Sequence, residues 1–359
     1  MDADLLKSLI NEKKRLPVTV VTGFLGAGKT TLLRHLLSKG NQRLAVVVNE
    51  FGTVGLDGDL FKNCGFCPKD EVEERIVELN NGCLCCTVQE DFLPAMEALL
   101  SRKNQIDGII IETSGLALPK PLLQALNWPA IRSRVFINGV VTLVDGVALS
   151  KGSPVGDLES INEQIINDNS IDHFISINDL FRDQLISADI VLISRFDLIS
   201  SKDFSFVKDE IRKNTKATAN ILPVSNGKID PSVILGISNE QNNISPPDQN
   251  DHDHDHDHDH DHDHVEVISE HLRLETRIEQ DVLKEILVKL VPKFQILRIK
   301  GRCWIEEKSL PLQIQMVGPR FDSWYESSFD DAWKPSKSGI DIVSLSLKEG
   351  VKEAIENSL

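Results

Sequence analysis

Short, almost wholly apolar runs alternate with longer amphipathic stretches through the first two thirds of the chain. Val18-Thr-Val-Val-Thr22, Leu44-Ala-Val-Val-Val48, Gly108-Ile-Ile-Ile111, Val140-Val-Thr-Leu-Val144 and Asp189-Ile-Val-Leu-Ile193 have strand length, β-branched composition and turn residues at their ends. Runs this apolar suit strands covered on both faces, so they predict a mostly parallel sheet with helices on each side. Helices fit between them: Lys29 to Leu37, Asp91 to Leu100 with Phe92, Met96, Leu99 and Leu100 on one side, and a segment ending near Ser187.

From residue 265 the rhythm changes. A period-two strand (His271-Leu-Arg-Leu-Glu-Thr-Arg277) precedes a helix over Glu279 to Leu290. Strands at Gln295 to Ile299 and Leu312 to Val317, a late strand at Ile340 to Leu347 and a terminal helix complete a small α+β unit. Between the two patterns, an Asn, Gln and Pro-rich stretch from Ser238 runs into a strict Asp-His alternation, Asp251 to His264. It has almost nothing to bury and predicts a disordered linker. The organisation expected is an α/β domain over 1–237, a linker over 238–264 and an α+β domain over 265–359. A chain of 359 residues exceeds the size at which one core usually keeps growing, which agrees with two domains.

Charge and cysteine usage narrow the class. Seven of the sixteen net negative charges are the Asp residues of the alternating run, so the folded parts carry only about −9 and offer no basic face for nucleic acid. Six cysteines are too few for a disulfide scaffold, and the opening MDADLLKSLI lacks the features of a secretory signal. No run approaches eighteen consecutive apolar residues, so no membrane span is expected. A cytoplasmic protein with reduced thiols is the reading that follows.

The first predicted strand feeds directly into Gly23-Phe-Leu-Gly-Ala-Gly-Lys-Thr30, a match to G-x-x-x-x-G-K-[ST] in the strand–loop–helix setting it requires. Backbone N–H groups from Gly23 through Gly26, Ala27 and Gly28 can turn inward around phosphates, with Thr31 in the first turn of the helix behind them. Lys29 can reach the outer phosphate oxygens, and Thr30 offers a hydroxyl to Mg²⁺. Such a loop needs an acidic group at the end of a neighbouring strand. Ile109-Ile-Ile-Glu112-Thr-Ser-Gly115 supplies Glu112 and a glycine whose N–H could approach a γ-phosphate. Asp145 is a second candidate, equally readable as a turn or N-cap residue. In guanine-selective proteins N-K-x-D follows a late strand; here the place reads Ser194-Arg-Phe-Asp197. Asp197 can accept both guanine donors and Arg195 can lie along the base, which favours GTP over ATP although Ser194 lacks the carboxamide. Ser225, in Leu222-Pro-Val-Ser225, is a further candidate contact to the base. Asp57 and Asp59 are candidates for orienting the attacking water.

Three thiols crowd into Cys83-Leu-Cys-Cys86. Side chains two apart share a face of an extended segment, so Cys83 and Cys85 can converge on one ion, and Cys86 joins if the chain turns. Metal–sulfur bonds of about 2.3 Å in a tetrahedral site permit such a clip, which leaves a position open for exchange. A redox pair and inert packing are the other readings. Cys64-Gly-Phe-Cys67, upstream, could complete a structural Cys₄ ribbon with it or serve as an accessory pair. Cys303, beside Trp304, is expected in a core. His252, His254, His256, His258, His260, His262 and His264 alternate with carboxylates and suit a reservoir for Co, Ni, Cu or Zn, the alternative being a solvated linker.

These motifs, with Asn49-Glu-Phe-Gly52 and Asn81-Gly-Cys-Leu-Cys-Cys86 in order, resemble the CobW family, GTP-dependent metallochaperones related to the nickel-handling G proteins of urease and hydrogenase maturation. The string Ile111-Glu-Thr-Ser-Gly-Leu-Ala-Leu-Pro-Lys-Pro121 resembles its cobalamin-biosynthesis branch. The resemblance implies a P-loop GTPase that binds Mg²⁺-GTP and Co²⁺, or Zn²⁺, at the C-x-C-C sulfurs. Hydrolysis would reshape the segments carrying Glu50, a further metal-site residue, and Cys83. It also implies release of the ion to the cobalt-insertion machinery (cobaltochelatase) or another metalloenzyme, and allows a nucleotide- or metal-dependent homodimer.

Overall fold

The computed structural model describes residues 15–39, 42–48, 76–78, 92–156, 176–236, 265–325 and 333–359. The apolar runs form β1 (Leu16–Gly23), β2 (Leu44–Val48), β3 (Ile76–Glu78), β4 (Gly108–Glu112), β5 (Val135–Asp145), β6 (Ile190–Ser194) and β7 (Asn220–Val224). All seven are parallel, in the order β3-β2-β4-β1-β5-β6-β7. Their side chains alternate between two helical layers. Val21, Val46, Ile110, Val141 and Leu192 pack under α1 (Lys29–Lys39) through Leu32, Leu33 and Leu36. On the other face Val18, Val20, Ile109 and Ile111 meet α2 (Leu93–Ser101) and α3 (Pro119–Ala125), followed by the short α4 (Pro129–Arg132). Past β5, the sheet passes through α5 (Gly146–Ser150) and rests on α6 (Ile177–Ser187) and α7 (Ser201–Asn214). Beyond β7 lies α8 (Pro231–Leu235).

Among the elements that went unread in the sequence, two did so for identifiable reasons. Pro223 argues against a central strand, but β7 is the last strand of the sheet, where a missing N–H faces no neighbour. The α7 helix buries only Val207 and Ile211 of its fourteen residues, too thin an apolar stripe to stand out. β5 also begins five residues before its predicted start. Its register slips at Asn138, with Val18 opposite Ile137 and Thr19 opposite Gly139, and Gly139 takes a φ of 150° there. This bulge turns the Asn138 side chain out of the ladder.

The second sheet is antiparallel: β8 (Ile268–Glu275), β9 (Ile296–Trp304), β10 (Leu312–Val317), β11 (Arg320–Tyr325) and β12 (Gly339–Ser346), ordered β11-β10-β9-β12-β8. One face is covered by α9 (Gln280–Phe294) and α10 (Val351–Glu356), with Cys303 inside that core. Burial pushes the Cys303 thiol up to about 12, the inert core residue expected. The opposite face contributes Leu297, Val317 and Leu345 to the core above α1.

Polar contacts join the two sheets. The buried Arg298 on β9 donates to Val233 O (2.5 Å), Ile234 O, Asn138 O (3.0 Å) and Asn138 Oδ1 (2.9 Å). Asn138 Nδ2 in turn donates to Thr19 Oγ1 (2.9 Å) and Leu235 O (3.0 Å). The guanidinium therefore caps the carbonyl end of α8, where the helix dipole favours a cation. Burial lowers its pKa and the Asp189 charge opposes that shift. Asp189, with no exposure, accepts from Val140 N (3.0 Å) and Arg320 Nε (2.7 Å) and pairs with Lys216 (3.4 Å). Trp324 stacks on Phe136 at 4.9 Å under the Arg15 guanidinium.

Candidate functional site

β1 is the strand at which the chain reverses its direction of growth across the sheet, with β4 on one side and β5 on the other. Ligand clefts of open parallel sheets lie beyond the carboxyl ends of the strands at such a point. A cleft of ≈ 440 Å³ sits there, of the size typical for small-molecule sites. Gly26, Gly28, Lys29, Thr30, Thr31, Glu112, Gly115 and Asp197 line it, so the fold gathers residues as distant in sequence as Gly26 and Asp197.

The loop's geometry follows from its glycines. Gly23, Gly26 and Gly28 adopt φ values of 133°, 75° and 100°, which a side chain would strain. A Cβ on Gly23 would fall 2.4 Å from Leu143 O, so that glycine lets β1 run flush against β5. Gly23 and Ala27 lie behind the cleft wall rather than in it, Ala27 being 2% exposed within the core under α1. Lys29 is buried, and its ammonium donates to Gly23 O (2.9 Å) and Phe24 O (3.2 Å). These carbonyls stabilise a charge that would otherwise be costly to desolvate.

Across from the loop, β4 ends at Glu112, 4% exposed, opposite Val21 of β1 and Val48 of β2. The next residues cross under the loop, and a Cβ on Gly115 would lie 2.6 Å from the backbone nitrogen of Leu25. Thr113 Oγ1, buried at the cleft wall, has no hydrogen-bond partner among the described residues.

The base-side residues divide. Asp197 is exposed at the cleft, beside Leu198. Arg195, in the left-handed conformation at φ 54°, does reach the loop, donating to Gly26 O (3.2 Å), while its other arm pairs with Asp145 at 2.7 Å. Asp145 is settled as an N-cap, accepting from Val147 N and Ala148 N, and does not line the cleft. Ser194 lines the cleft, and its hydroxyl donates to Val144 O (3.2 Å). Ser225 is 6% exposed behind the wall; the residues that reach the cleft are its neighbours Val224, Asn226 and Gly227. The Asn-Gly pair after β7 was a readable turn signal once β7 itself was recognised. Gly227 is held close to α1: a Cβ there would meet Leu32 N and Thr31 O at 2.9 Å.

Glu50, Asp57, Asp59, Cys64, Cys67, Cys83, Cys85, Cys86 and the histidines from His252 to His264 lie outside the described residues. Among the described residues no group of His, Cys, Asp or Glu could hold a metal ion, and no helix is long and apolar enough to cross a membrane.

Fold and cleft together define a P-loop nucleotide-binding protein. Residues 17–223 match the CobW/HypB/UreG nucleotide-binding domain and residues 267–359 the cobalamin synthesis protein cobW C-terminal domain. The "Zinc chaperone CobW" of Pseudomonas aeruginosa is 45% identical over 323 residues, 89% of this chain and 84% of that protein. The protein of the same name from a Sinorhizobium species is 38% identical over 349 residues, 96% of each. A crystal structure of Zn(II)-bound YjiA GTPase from E. coli aligns over 96% of this chain and 98% of its own, with a TM-score of 0.40 and 23% identity. The chain belongs to the CobW family and is a GTPase of that class.

Proposed function

We propose that this GTPase is a zinc metallochaperone in which the triphosphate, bound at the cleft, governs assembly of a thiolate site at Cys83, Cys85 and Cys86 with Glu50. The observation that carries the reading is the register of β2, β3 and β4: Val48 pairs with Glu78 and also with Glu112. The strands that precede Glu50 and Cys83 therefore both end at the carboxyl edge of the sheet, the side on which the cleft lies. Glu50 is two residues past Val48, which itself lines the cleft. Cys83 is five residues past Glu78, and five extended residues reach at most about 18 Å.

Zinc is favoured over cobalt by the names of the two bacterial relatives and by thiolate affinity, since Zn²⁺ binds such ligands more tightly than Co²⁺. The alternating histidines would hold further ions for loading, and a metalloenzyme would be the recipient. Within the cleft the donors fit Mg²⁺, a hard cation that takes oxygen ligands: the Thr30 hydroxyl and the Glu112 carboxylate are the residues that would hold it. There it would offset the charge of the outer phosphates. Lys29 would exchange its loop carbonyls for phosphate oxygens, and Gly115 N–H would meet the γ-phosphate.

Titration of the apoprotein with Zn²⁺ and, separately, Co²⁺ tests this, in the presence of GDP or of Mg²⁺ with a non-hydrolysable GTP analogue. Zn²⁺ affinity should rise at least about tenfold in the triphosphate state, a difference of about 1.4 kcal/mol. Equal affinity in both states removes the nucleotide gate, and a gate that operates on Co²⁺ alone replaces zinc by cobalt as cargo. Guanine recognition has its own check. Asp197→Asn loses the acceptor for the guanine N1–H and 2-amino groups, so GTP affinity should fall about 10²-fold while xanthosine triphosphate gains, read by competition against a fluorescent nucleotide.

A further inference from the structure

The peptide carbonyls that follow the γ-phosphate glycine are held from outside their own segment, by one side chain. Gln184, on α6, has no exposure, and its Nε2 donates to Gly115 O (3.1 Å) and Ala117 O (3.3 Å). Its own backbone carbonyl accepts from Thr142 Oγ1 of β5 (3.2 Å), which fixes this turn of α6 to the sheet. Two carbonyls demand the amide nitrogen on that side, so the orientation of the group is determined by its neighbours. Its Oε1 is buried with no donor among the described residues. An unsatisfied buried acceptor costs about 1–3 kcal/mol, so a leucine shape would fill this core position at lower cost. Such a group calls for a reason other than stability.

We propose that Gln184 is a positioning residue for the triphosphate state. Its amide fixes the peptide planes on the C-terminal side of Gly115, holding that glycine in the narrow gap beside Leu25 where its N–H can meet a γ-phosphate. The free Oε1 is the acceptor that an N–H of the segment takes up when the segment shifts between the triphosphate and diphosphate states. A diphosphate reaches the loop and Lys29 but not Gly115, so Gln184 acts on one nucleotide and not the other. The inference rests on the GTP reading of the cleft.

The test compares affinities for GDP and for a non-hydrolysable GTP analogue in the wild type, in Gln184→Met and in Thr142→Val. Methionine keeps the length and volume of glutamine and removes the donor. Analogue affinity should fall about tenfold in Gln184→Met while GDP affinity changes less than about threefold, because only the former nucleotide uses Gly115. Thr142→Val, which loosens the anchor but keeps the amide, should shift the same ratio in the same direction by less. Equal losses for both nucleotides, or no loss, overturn the role of Gln184. Should Gln184→Met fail to bind GDP and melt early, the ratio in Thr142→Val decides alone. A wild type that binds neither nucleotide sinks the underlying reading of the cleft instead.

Discussion

Lys29→Ala is expected to lower the rate of GTP hydrolysis by about 10²–10³-fold, the loss typical of removing one preorganised charged donor from a water-poor site. The expectation follows from where the ammonium lies. Lys29 is 7% exposed, and its ammonium donates to two neutral carbonyls of the loop, Gly23 O and Phe24 O. A phosphate oxygen arriving at the same spot is a far better partner, because a charge-assisted bond is about twice as strong as one to a neutral acceptor. The lysine thus gains its stronger partner only in the complex. Thermal unfolding of Lys29→Ala without nucleotide should differ little from that of the wild type, while the stabilisation conferred by GTP is lost. Single-turnover hydrolysis and melting curves with and without nucleotide separate these effects. A variant that hydrolyses GTP within about threefold of the wild type would show that Lys29 plays no part in catalysis.

The second large effect concerns stability. Asp189→Ala should destabilise the protein by about 3 kcal/mol, measured by urea denaturation. Removing one partner of a buried ion pair costs about 3–5 kcal/mol; the lower end applies because the Arg320 and Lys216 side chains keep 27% and 39% exposure and can turn to water. Val140 N cannot do so, being inside the sheet, and would be left without its acceptor. Asp189→Asn retains an acceptor for Val140 N and should lose less. Arg320 belongs to the antiparallel sheet and Asp189 precedes β6, so the alanine variant should also expose the junction between the sheets to limited proteolysis. A loss below about 1 kcal/mol would mean that the apolar contacts of Leu297, Val317 and Leu345 hold the junction unaided.

The coupling of the two sheets bears on the function. Arg298 caps α8, and the residues that precede α8 run from the cleft at Asn226 and Gly227 along α1, where His35 Nε2 bonds Ile229 O at 2.8 Å. The second sheet is thereby connected to the nucleotide cleft through a few hydrogen-bonded steps, although no ligand-bearing residue of the cleft comes from it.

Much of this was legible in the order of residues. Five strands of the parallel sheet are continuous β-branched runs, and such runs can be stable only if covered on both faces, which dictates helices on each side. The phosphate loop could be read because its glycines and lysine are adjacent in the chain and the backbone conformation they need is local. The choice between Glu112 and Asp145 was not local. Both follow apolar strands, and what separates them is that Arg195 and two helix N–H groups occupy Asp145, whereas Glu112 ends the strand next to the loop. Gln184 left no trace in the pattern: a glutamine on a helix reads as a solvent-facing residue until its neighbours are known.

By itself the sequence determined the family, the sheet, the loop and the thiols, since each is specified by residues within a few positions of one another. Tertiary structure alone decided which carboxylate faces the cleft, what Arg195 and Gln184 hold, and that β2, β3 and β4 end on one edge. Those are matters of register and packing between segments tens of residues apart, and they are fixed by the burial of whole faces rather than by any local preference.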